Sequence, residues 1–120
     1  MEDTESKDTG EYIVQITSKG SILKRFVSDS QKEIYIDVID YLVREHDLTR
    51  NINIPYVPGD KKSIISDKPE NEDGSEMHRW QKISDGLYLN TNLKKESKIR
   101  YLAILVNSCE IDIYLEKGWT

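Results

Sequence analysis

The stretch EYIVQITSKGSILKRFV, Glu11 to Val27, decides the fold. From Glu11 to Thr17 it sets Tyr12, Val14 and Ile16 against Ile13, Gln15 and Thr17, the period of two that marks a strand with one buried face. Ser18-Lys19-Gly20 is a turn, because glycine accepts the positive φ that tight hairpins need. Ser21 to Val27 then returns as a second strand, so the sequence predicts a β-hairpin.

Downstream of the hairpin the period changes. Ser30 and Glu33 have capping-box spacing, and Asp29 places negative charge where a helix dipole favours it. Ile34, Val38, Tyr41 and Leu42, widened by Tyr35 and Ile39, form an apolar stripe that predicts a helix over 31–46. Residues 51–57 alternate again and predict a third strand. Pro55 cannot donate to a ladder, which puts that strand at an edge or ends it there. Residues 58–78 collect glycine, proline, serine and acids without periodicity and read as a polar linker, in which only Ser63-Ile64-Ile65-Ser66 is suited to a short extended piece.

The pattern then restarts. Residues 79–83 form a strand, Ser84-Asp85-Gly86 a turn, and Leu87 to Asn90 the returning strand. Ile99, Leu102, Ala103 and Val106 mark a second helix over 94–107, and residues 110–116 alternate as a final strand. Setting Gly20 on Gly86 brings Tyr35 onto Tyr101, Ile36 onto Leu102 and Ile39 onto Leu105. Duplication and independent origin predict the same structure: an α+β fold of two β-β-α-β units, 11–57 and 79–117, in one domain over 11–120. Its mainly antiparallel sheet carries two helices on one face.

The chain has 120 residues, 37% hydrophobic and 32% charged, with a net charge of −5. Residues 1–10 carry four acids and one base, and residues 59–77 six acids and three bases; the remainder, with 12 acids and 13 bases, is nearly neutral. Residues 1–10 read as a disordered acidic tail, and the near-neutral body neither demands nor excludes a polyanionic partner. With no apolar run of membrane-spanning length and no secretory pattern at the N-terminus, a cytoplasmic protein is expected. Cys109 is the single cysteine and reads as a small buried hydrophobe.

No catalytic pattern emerges. His46 and His78 have no His or Cys at ligand spacing, so neither a metal nor a cofactor is expected. The acids cluster in no polar or glycine-rich setting that would raise one carboxyl's pKa. Thr91-Asn92-Leu93-Lys94-Lys95-Glu96-Ser97-Lys98 departs from structural economy, because lysines at a helix start oppose the dipole. Thr91, Asn92, Lys94, Lys95 and Lys98 are therefore candidates for binding an anion such as a nucleic-acid phosphate. The alternative is a solvated charged turn with Asn92 as the cap. Tyr88, Tyr114 and Trp80 are candidates for an open sheet surface that anchors a partner, or for cross-strand pairs that steady the sheet.

The second half, from Trp80 through Ile83-Ser84-Asp85-Gly86-Leu87-Tyr88-Leu89-Asn90-Thr91-Asn92 to Lys98-Ile99-Arg100-Tyr101-Leu102 and Ile111-Asp112-Ile113, resembles small uncharacterised accessory domains found with bacterial restriction-modification and anti-phage defence proteins. The resemblance spans residues 80–115 and implies an accessory domain of a larger assembly, not an independent enzyme. The expected function is a non-catalytic module for a protein partner or for self-association, with nucleic-acid binding at the basic helix start as the alternative.

Overall fold

A computed structural model describes residues 11–59 and 62–119; the acidic tail at 1–10, expected to be disordered, lies outside the described residues. The predicted hairpin is present as β1 (Tyr12–Ser18) and β2 (Ser21–Ser28), antiparallel and joined by a turn in which Lys19 and Gly20 both take positive φ. That is the turn whose twist suits adjacent strands. Pairing shifts register between Ile16 and Thr17, so Leu23 is the extra residue of a bulge in β2.

Helix α1 (Gln31–Glu45) starts where the capping pattern predicts, with Ser30 Oγ accepting the Glu33 N–H at 3.1 Å. Its stripe, including Tyr35, Ile39 and Leu42, is fully buried. A four-residue helix α2 (Leu48–Asn51) follows. The strand expected at 51–57 is reduced to one bridge, Tyr56 to Ile65, because Asn51 closes α2 and Pro55 interrupts donation beyond it.

The supposed linker contributes structure. Ser63 to Ser66 are all buried, and β3 (Ile65–Ser66) pairs with β5 (Tyr88–Asn90), which pairs in turn with β4 (Trp80–Lys82). A 3-10 turn at Ser84–Gly86 joins β4 to β5, with positive φ at Asp85 and Gly86. Helix α3 (Lys95–Ser108) begins one residue later than predicted and packs against α1.

The final strand β6 (Asp112–Lys117) pairs with β1, setting Leu115 beside Val14 and Ile113 beside Ile16. The class is α+β, but the strands divide into two three-stranded antiparallel sheets, β2-β1-β6 and β3-β5-β4, in place of one. The physical reason is length. β4 and β5 are three residues each, too short to satisfy a six-residue final strand, whereas β1 offers a long second edge with an apolar inner face. The two halves are thereby interlaced. Gly118 completes the joint: a Cβ there would lie 2.5 Å from the Tyr12 ring, and its absence lets Trp119 pack edge-on to Tyr12 at 5.1 Å.

The core lies between these layers. Val14 and Ile16 face α1, while Leu102, Leu105 and Val106 of α3 share the cluster with Ile64, Ile65 and Leu89 of the second sheet.

Candidate functional site

The expected anion group is only partly assembled. Thr91 is buried with its N–H donating to Arg79 O at 3.1 Å, and the Asn92 N–H donates to Asn90 Oδ1 at 2.9 Å. Lys94, not Asn92, is the N-cap residue of α3, and no side chain caps that helix. Lys98 turns inward and is 6% exposed; its amine donates to Gln31 Oε1 at 2.9 Å and stands 6.0 Å from the centre of the Tyr35 ring. Burial, helped by the neighbouring Lys32 charge, lowers its pKa. The helix start instead shares an open cleft of about 490 Å³ with Lys62 of the loop before β3, next to Asn92, Lys94 and Ser97.

The three aromatic candidates separate between the sheets. Trp80 and Tyr88 stack edge to face at 5.0 Å on neighbouring strands of the second sheet, with the Lys82 amine 5.9 Å from the Tyr88 ring centre. Tyr114 belongs to the first sheet, opposite Gln15, and is 57% exposed.

A feature that the sequence reading did not single out lies at β2. It is an edge strand of the first sheet, and among the described residues no strand pairs with its outer side. Ile22, Leu23 and Val27 are 61%, 43% and 48% exposed, large values for apolar side chains on one strand. Between β2 and α1 runs a groove of about 350 Å³ whose strand wall is Lys24, Arg25, Phe26 and Val27. Phe26 anchors that wall by packing edge-on to Tyr41 of α1 at 5.5 Å.

The helix wall carries Ile34, Asp37, Asp40 and Arg44. Arg44 Nε bonds Asp40 Oδ2 at 2.9 Å, and a second guanidinium nitrogen lies 3.3 Å from Glu45. Asp40 Oδ1 accepts the Ser84 N–H at 2.8 Å, tying α1 to the second sheet. Burial pushes the Asp40 pKa upward, but the hydrogen bonds from Ser84 and Arg44 outweigh it and hold the carboxyl below its usual value. At Asp37 burial, then Glu33 and Asp40, raise the pKa against the weaker effect of Arg44. Lys24 lies 5.8 Å from the Phe26 ring centre, and neither it nor Arg25 forms an ion pair among the described residues. A detectable signal was present in the sequence: Lys24-Arg25 interrupts an apolar run within a predicted strand, a common mark of an exposed edge.

Other reactive groups have local partners. His46 caps α1 and its Nε2 is 2.9 Å from Tyr41 Oη. Cys109 is half-buried beside Asn51 and Ser108, and burial pushes its thiol pKa up against the hydrogen bonds from both. Among the described residues no three His, Cys, Asp or Glu side chains are grouped to hold a metal ion, and no helix is long and apolar enough to cross a membrane. No family model, curated protein or solved structure matches this chain.

Proposed function

We propose that the protein is a non-catalytic interaction module that docks a protein partner along β2. One observation carries this reading: an eight-residue edge strand presents Ile22, Leu23 and Val27 to solvent beside a groove, with its outer main-chain edge unpaired among the described residues. Unpaired edges and exposed apolar side chains are the two ingredients of strand-mediated association. The resemblance of residues 80–115 to defence-system accessory domains agrees with a module of this kind.

Site-specific photo-crosslinking in cells tests it. A crosslinker in place of Val27 should give a discrete protein adduct, absent from the same group placed at exposed Gln81, and Ile22→Glu should remove it. Equal labelling from both positions, or none from position 27, contradicts the reading.

A second reading rests on the cleft that joins Lys62 to Asn92 and Lys94 at the uncapped start of α3. Two lysines beside free helix N–H groups suit a phosphate of a nucleic acid. Lys94→Glu with Lys95→Glu should then weaken salt-dependent binding of single-stranded or duplex nucleic acid, and unchanged affinities for all of them dispose of this reading.

A further inference from the structure

Resting on the module reading, the geometry points to a specific class of ligand for the groove between β2 and α1. The ligand is an extended peptide segment that adds to β2 as a fourth strand, sets carboxylates beside Lys24 and Arg25, and lays an apolar side chain over the half-buried Phe26.

Charge gives the first part of the argument. Of the three cations lining the groove, Arg44 is already held by Asp40 and Glu45, while Lys24 and Arg25 form no ion pair among the described residues. Adjacent residues of a strand point to opposite faces. Lys24 therefore shares the groove side with Phe26, and Arg25 shares the outer face with Val27. An added strand with acidic residues at neighbouring positions answers both, since opposite charges on adjacent strands attract. Asp37 on the helix wall repels a carboxylate placed there, so the ligand's acid lies on the strand side of the groove.

Shape gives the second part. The groove runs beside the main chain of Lys24 to Val27, and a helix has no free main-chain groups to offer an edge strand. An extended segment has them at every second residue. The bulge at Leu23 disturbs pairing near the turn, leaving Lys24 to Ser28 as the regular stretch against which such a segment aligns. A second copy of the chain is a poor occupant: antiparallel pairing of β2 with β2 about its centre sets Lys24 beside Arg25 of the other copy, a like-charge contact.

The test is a titration of the isotope-labelled 120-residue chain, followed by amide NMR. The probes are the octapeptide Val-Val-Glu-Glu-Val-Val-Glu-Glu, whose adjacent glutamates reach both faces of an added strand, its valine-lysine counterpart, and an acidic helix-forming peptide. The glutamate octapeptide should shift the amides of Ser21 to Ser28 together with Ile34 and Asp37, more weakly at high salt. Lys24→Glu with Arg25→Glu should lower its affinity roughly tenfold or more and turn the preference toward the lysine peptide. Both substituted side chains are exposed, so the fold is expected to persist, and the rest of the spectrum reports this directly.

Stronger binding of the lysine or helical peptide to the native chain overturns the assignment, as does a response of β2 to rising chain concentration alone. Either result leaves the module reading in place, which fails separately if crosslinks from position 27 are also missing. Silence of β2 toward the glutamate octapeptide overturns the assignment as well.

Discussion

Lys98 sits within a single turn of two other lysines and yet belongs to the interior. The sequence groups it with Lys94 and Lys95 as an anion candidate; the packing of α3 against α1 instead turns the Lys98 amine onto Gln31 and the Tyr35 ring. A buried ammonium is disfavoured, and its lowered pKa means that the unfolded chain holds the proton more tightly than the folded one. Stability is therefore expected to rise with pH from the depressed value of Lys98 toward the ordinary lysine range. Ionisation of tyrosine in the unfolded chain opposes this above about pH 10, because burial raises the pKa of Tyr35 in the fold. Lys98→Met keeps the volume and removes the charge. It should stabilise the fold by about 1 kcal/mol at neutral pH and abolish the rise below pH 10, read from denaturant unfolding at a series of pH values. A destabilised variant that keeps the rise would contradict this account.

Among the elements, the helices and the two hairpins were legible and the longer-range strand pairings were not. The extent of α1 followed from a capping pair and an apolar stripe within sixteen residues, and α3 from a similar stripe, because both signals are local. The partner of β6 was hidden: alternation at Ile111, Ile113 and Leu115 marks a strand but carries no information on which edge it will meet. Ser63-Ile64-Ile65-Ser66 stood out as an extended piece within a polar segment, but nothing local told that β3 would pair with β5. Of the candidate anion residues, Lys94 marks the helix start correctly, and its character there is testable. Lys94→Asp supplies the missing cap and replaces an unfavourable charge, so it should raise stability by about 1–2 kcal/mol, seen as a higher midpoint in thermal unfolding. No change would mean that the first turn of α3 is already satisfied.

At the scale of the whole molecule, the interlacing of the halves makes them interdependent. Residues 11–57 alone keep β1, β2 and α1 but lose β6 from the second edge of β1 and α3 from the face of α1. That fragment should show no cooperative thermal transition by circular dichroism, whereas the full chain should unfold in one; a cooperative fragment would mean that the halves are separable units after all. Both β2 and β6 end the first sheet, and the docking proposed for β2 rests on its groove and its exposed apolar side chains. β6 covers one side of β1, β2 the other, and the outer side of β2 remains open beside the α1 groove. The sequence carried a trace of this in Lys24-Arg25, but only the pairing order shows which strands end the sheet. Amide hydrogen exchange along Ser21–Ser28 tests the open edge most directly. In the isolated chain, slow amides bonded to β1 should alternate with fast amides facing outward, and the fast set should slow when the valine-glutamate octapeptide is added. Uniform protection of the whole strand in the isolated chain would contradict it.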